Sequence, residues 1–105
     1  RYLQIPQFPG GEDSLISYVK RNFNYPMQLK GSGIEGIVYM AFNVNKTGKV
    51  ESVRVVRGLN PRHLTKSVDR QLIEILENMP LWSPGEKDGY AKTMTMSLPI
   101  SIEVR

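Results

Sequence analysis

Near the end of the chain, Met94, Met96, Leu98, Ile100, Ile102 and Val104 alternate without a break with Thr93, Thr95, Ser97, Pro99, Ser101 and Glu103. A period of two puts every second side chain on the same face, so this stretch predicts a long strand with one buried and one solvated side. Pro99 then restricts where that strand can lie. Proline has no amide hydrogen to give to a ladder, which confines it to sheet edges and bulges. The chain must therefore build a sheet with this strand at its border. An exposed border is either protected against aggregation or used to accept a strand from a partner.

The remaining periodicities supply the other elements. Leu15, Ile16, Val19 and Phe23 recur at helical spacing behind Glu12 and Asp13, with Lys20 and Arg21 at the far end. Acidic residues first and basic residues last suit the helix dipole, and the pattern predicts a helix over residues 12–22. Pro26 bends the chain after Tyr25, Met27 to Lys30 predict a short turn, and Gly31, Gly33 and Gly36 a loop. From Ile37 the period becomes two. Val38, Met40, Phe42 and Val44 fall on one face, and the turn Asn45-Lys46-Thr47-Gly48 leads into a second strand with Val50, Val53, Val55 and Val56. The slip of one residue after Val50 predicts a bulge in this hairpin. Val68, Leu72, Ile75 and Leu76 mark a second helix over 65–78, with Thr65 as N-cap and Pro80 beyond its end. Residues 86–89 are expected to be polar loop. Tyr2, Leu3 and Ile5 suit a short strand or an extended arm, interrupted by Pro6 and Pro9.

The 105 residues make one domain. The expected fold class is α+β: a two-layer sandwich of a three-stranded antiparallel sheet with two helices packed on one face, preceded by an arm over residues 1–11. Trp82, Phe42, Val44 and Leu72 are expected to share the core, since tryptophan carries a large apolar area. No apolar run approaches the ~18 residues of a membrane-spanning helix, and the absence of cysteine excludes disulfides.

Chemistry-bearing motifs are few. Gly31-Ser32-Gly33-Ile34-Glu35-Gly36 spells G-x-G-x-x-G, but it opens a predicted strand, where a dinucleotide site needs a helix N-terminus. Asn45-Lys46-Thr47 spells a glycosylation triplet at a place where turn chemistry already explains the asparagine. His63 is the only histidine and has no evident orienting carboxylate or nucleophile, so no catalytic, cofactor or metal site is expected. Seven of the fourteen Lys and Arg (Lys46, Lys49, Arg54, Arg57, Arg62, Lys66 and Arg70) fall between positions 46 and 70. A basic surface can bind nucleic acid, but the aromatic stacking partners of a nucleic-acid sheet are missing, so it is read as a solvated face and no nucleic-acid partner is expected.

An ordered set of short motifs resembles a known family. These are Pro6-Gln7-Phe8-Pro9-Gly10-Gly11-Glu12, Tyr25-Pro26, Gly33-Ile34-Glu35-Gly36, Phe42-Asn43-Val44 with Gly48-Lys49-Val50, Met79-Pro80-Leu81-Trp82-Ser83-Pro84-Gly85, and Ser97-Leu98-Pro99-Ile100. From about Ile5 to Ile102 the chain resembles the C-terminal domain of TonB energy transducers, in the variant with Phe-Pro-Gly-Gly before the first helix. The resemblance implies a periplasmic domain of an inner-membrane-anchored protein, with the anchor and a Pro-rich linker outside these residues. It implies that the domain captures the TonB box of TonB-dependent outer-membrane receptors as a strand added to its last strand, and transmits force for active uptake. The residues it implies for peptide contact are Lys92, Thr93, Met94, Thr95, Met96, Ser97, Leu98, Pro99, Ile100, Ser101 and Ile102, with a second contact region at Asn22, Phe23, Asn24 and Tyr25. Asn22 stands where the best-known members carry glutamine. ExbB and ExbD are implied as partners of the anchor. A homodimer through the open edge, and a role as the periplasmic domain of a TonB-like sensor or a cell-wall-binding module, are the alternatives.

Overall fold

The computed structural model describes residues 2–104. Its elements in chain order are β1 (Leu3–Gln4), α1 (Glu12–Asn22), β2 (Gly36–Val44), β3 (Val50–Arg57), α2 (Lys66–Glu77), β4 (Gly85–Lys87), β5 (Tyr90–Lys92) and β6 (Met94–Ile102). Single 3-10 turns at Met27–Leu29 and Arg62–Leu64 precede β2 and α2.

The main sheet has the order β3-β2-β6, all antiparallel. Val38, Met40, Phe42 and Val44 are buried on its inner face. They share one core with Leu15 and Val19 of α1, Val68, Leu72 and Leu76 of α2, and Trp82. The helices thus cover one face of the sheet, as the alternation in β2 requires. Trp82 is only 5% exposed. Phe42 meets it edge-on at 5.4 Å and Phe8 at 5.7 Å, separations at which aromatic pairs attract beyond their buried area.

The slip after Val50 is a bulge. The β2–β3 register shifts between Ala41 and Asn43, and Ser52 takes a φ of 56°. The hairpin turn is built around Asn45, whose Oδ1 accepts from the Thr47 amide (2.9 Å), the Thr47 hydroxyl (2.8 Å) and the Lys49 amide (3.0 Å). Gly48, at φ 91°, donates its amide to the Asn45 carbonyl, and its own carbonyl accepts from the Trp82 amide at 2.8 Å. A side chain at Gly48 would collide with the Trp82 carbonyl, so glycine serves here both turn geometry and a close approach.

Two expectations need correction. Residues 86–89 are not a loop. They belong to a hairpin, β4–β5, turned at Asp88-Gly89 and joined by β1 into a second sheet of order β1-β4-β5. Its strands are two or three residues long, too short to carry a readable apolar period. Thr65 does occupy the N-cap of α2, but its hydroxyl makes no cap bond. It is fully buried and donates instead to the carbonyls of Leu59 (2.9 Å) and Pro61 (3.2 Å), binding the preceding loop.

The arm over 1–11 is docked, where it is described. Leu3 and Gln4 pair with Lys87 and Glu86. Gln7 and Ser83 exchange amide–carbonyl bonds at 3.0 and 2.8 Å, and Phe8 enters the core.

Candidate functional site

β6 is bonded on one side only among the described residues. All nine of its residues pair with β2, from Gly36↔Ile102 to Val44↔Met94, without a register shift. Its outer side has no partner strand. Antiparallel pairs alternate between those that exchange two hydrogen bonds and those that exchange none. Pro99 has no amide hydrogen, so the Tyr39↔Pro99 pair belongs to the second kind. With the register unbroken, Thr95, Ser97 and Ser101 have the same phase. The outer edge therefore presents the amides of Thr95, Ser97 and Ser101 and the carbonyls of Thr95, Ser97, Pro99 and Ser101. A non-bonded pair brings its side chains close: the Thr95 hydroxyl lies 2.9 Å from Asn43 Oδ1 and donates to it.

The alternation in side chains is as expected. Ile100 and Ile102 are buried, Met94, Met96 and Leu98 half-buried, and Thr95, Ser97, Pro99 and Ser101 exposed. Lys92 lies in β5 and Thr93 is the single residue joining it to β6. Two apolar cavities open along the edge on the helix side. One, about 200 Å³, lies between α1 (Leu15, Ile16, Val19, Lys20) and Leu98–Ser101. The other, about 300 Å³, lies between the arm (Ile5 to Phe8) and Met96–Leu98, with Trp82 among its lining residues.

The second predicted region is ordered by its own contacts. Asn22 ends α1, and its Nδ2 donates to the Tyr18 carbonyl at 2.8 Å. Phe23 packs against the core. Gln71 of α2 brackets Asn24, accepting its amide at 2.7 Å and donating to its carbonyl at 2.7 Å. The Tyr25 hydroxyl donates to the Ile34 carbonyl at 2.6 Å. Asn22, Asn24 and Tyr25 line a cleft of about 920 Å³ against α2. The structure does not merge this region with β6 into one concavity: the cleft opens between α1 and α2, whereas the grooves beside β6 lie between that strand and α1 or the arm.

Other sequence candidates resolve into structure. Gly36 of the G-x-G-x-x-G string opens β2, and no helix follows it. His63 is exposed in a 3-10 turn. Of the basic stretch, Arg62 is paired with Asp69, whose hydrogen bond and charge hold the guanidinium above its ordinary pKa. Arg54 donates to the Ser52 carbonyl at 2.6 Å. Sequence reasoning missed Ile5 to Phe8 as lining of the edge, because Pro6 and Pro9 read only as interruptions. It also missed Gln71, which no pattern distinguishes.

These features define a two-layer α+β domain whose last strand is a bulge-free sheet edge. Residues 21–103 match the family described as Gram-negative bacterial TonB protein C-terminal, and the chain belongs to that family. The fold is similar to two solution NMR structures of the Helicobacter pylori TonB C-terminal domain. One, of residues 194–285, is 21% identical with a TM-score of 0.58, covering 87% of this chain and 90% of that one. The other, of residues 179–285, is 19% identical with a TM-score of 0.58, covering 92% and 87%. No curated protein matches the sequence.

Proposed function

We propose that this chain is the receptor-coupling domain of a TonB-type energy transducer. In this reading it works in the periplasm as part of a protein anchored in the inner membrane. It binds the TonB box of an outer-membrane receptor by strand addition to β6 and passes force to it, while ExbB and ExbD act on an anchor outside these residues. The observation that carries the reading is the outer edge of β6, which has no bulge and no charged residue from Met94 to Ile102 and no partner strand among the described residues.

Strand addition is read mainly by backbone groups, so it tolerates varied partner sequences. The outward groups from Thr95 to Ser101 offer about five to seven hydrogen bonds at ~0.5–1.5 kcal/mol each. Association and ordering costs offset much of this, leaving the weak to moderate affinity that suits a reversible coupler. Asn22, Phe23, Asn24 and Tyr25 serve as a separate receptor contact.

NMR titration with a receptor N-terminal peptide is the direct test. Amide shifts are expected on residues 92–102, with a second set near Asn22–Tyr25 on binding a whole receptor. Cognate peptides that shift only residues elsewhere would refute the mechanism, and concentration-dependent shifts of β6 without peptide would favour self-association.

A further inference from the structure

We propose that the N-terminal arm completes the peptide site, its Ile5–Phe8 segment forming with Met96–Leu98 of β6 a pocket that takes an apolar side chain of the added strand. This rests on the strand-addition reading.

The register defines what such a pocket would receive. A residue added opposite Met96, Leu98 or Ile100 has its side chain on the same face as theirs, which is the helix side. That is where the two cavities lie, one bordered by Met96 and Leu98 and the other by Leu98 and Ile100. Leu15 and Leu98 line both. The two cavities therefore lie two residues apart along the edge, the interval at which an added strand presents side chains to one face. The arm cavity, at about 300 Å³, exceeds the ~150 Å³ apolar space that holds a benzene ring, so it has room for a branched aliphatic or aromatic side chain. Glu12 lines the arm cavity and Lys20 the other.

Trp82 lines the arm cavity while its ring is held edge-on by Phe8 and Phe42, so the indole is a fixed apolar wall of the pocket and its signal reports on what enters it.

Because the arm is one wall of this pocket, peptide binding and arm docking are linked. A ligand that prefers the docked arm stabilises it, and an undocked arm lowers the ligand's affinity by the same factor. The arm is held at Gln7 by the exchange with Ser83, so force that pulls it free would also open the pocket.

The test uses a synthetic receptor N-terminal peptide with apolar residues at alternate positions, titrated into the labelled 105-residue chain. Ile5→Asp puts a charge in the wall at a residue that is 57% exposed and lies outside the core. Gln7→Pro removes the amide that donates to the Ser83 carbonyl. Each variant is expected to bind the peptide about five- to tenfold more weakly, with the β6 amides still shifting at saturation. The indole Nε1–H resonance of Trp82, the only tryptophan, should move with peptide in the wild type. Replacing the alternate apolar peptide residues by serine should weaken binding in the wild type and much less in Gln7→Pro. The inference is overturned if the peptide shifts β6 but both variants bind as tightly as wild type and the indole signal is unmoved. A wild-type chain whose β6 amides never shift overturns strand addition as well, so the two failures differ.

Discussion

The main sheet has two borders, and they are built in opposite ways. On β3 the register to β2 shifts twice, Ser52 turns into the left-handed region, and Arg54 covers the Ser52 carbonyl. Glu51, Arg54 and Arg57 add charge along the strand. Bulges, twists and charges are the usual means of blocking edge-to-edge pairing. On β6 there is no bulge and no charged residue from Met94 to Ile102. A chain that protects one border of a sheet and leaves the other free of bulges and charge has treated the two as different surfaces. That difference, more than exposure alone, is what the proposed strand addition would use.

The largest effect tests whether the two borders depend on a common core. Trp82 packs on Phe42 of the central strand and bonds the β2–β3 turn through Gly48. Trp82→Ala is expected to destabilise the domain by ~3–5 kcal/mol, read from the denaturant midpoint, with probes on β3 and β6 unfolding together. A separate transition for β6 would show that the two borders do not depend on one core.

Next is a proline scan of β6. Ser97→Pro removes an amide that faces outward, so stability should fall by less than ~1.5 kcal/mol, while peptide affinity falls about three- to tenfold for the lost bond. Leu98→Pro removes an amide that β2 uses and should chiefly damage the fold. Equal stability losses in the two variants would show that the phase assigned from Pro99 is wrong.

The smallest effects belong to side chains. Thr95→Ala loses the hydroxyl bond to Asn43 and should change stability by about 1 kcal/mol or less and peptide affinity by less than about twofold. Arg54→Ala on the protected border should leave peptide binding unchanged in the same titration. The basic residues around β3 should bind DNA only weakly, and the binding should vanish at physiological salt. Submicromolar binding at that salt would give the β3 side a function of its own.

How much of this was legible depended on whether a feature left a period in the chain. Met94 to Ile102 announced both their strand and their border, because strict alternation and one proline leave few arrangements. The bulge showed as the slip between Val50 and Val53. The core was legible because Phe42, Leu72 and Trp82 have nowhere else to go. The β1-β4-β5 sheet was not: strands of two or three residues fall below any period, and Glu86 to Gly89 have the composition of a loop. Thr65 had the right position for a cap, but a competing carbonyl at Leu59 captured its hydroxyl. At the candidate site the edge could be foreseen. The arm's place beside it could not, because Phe8 reaches the core through contacts far away in sequence.

Pro99 also bears on the company β6 keeps. It removes one donor from the outer row, between Ser97 and Ser101. A foreign peptide that brings all its own amides forgoes a single bond at that gap. A second copy of this chain, paired symmetrically through its own β6, carries the same gap and forgoes two. The proline thus weighs twice as heavily on self-pairing as on pairing with another protein, and one missing hydrogen tilts an open edge away from its own kind.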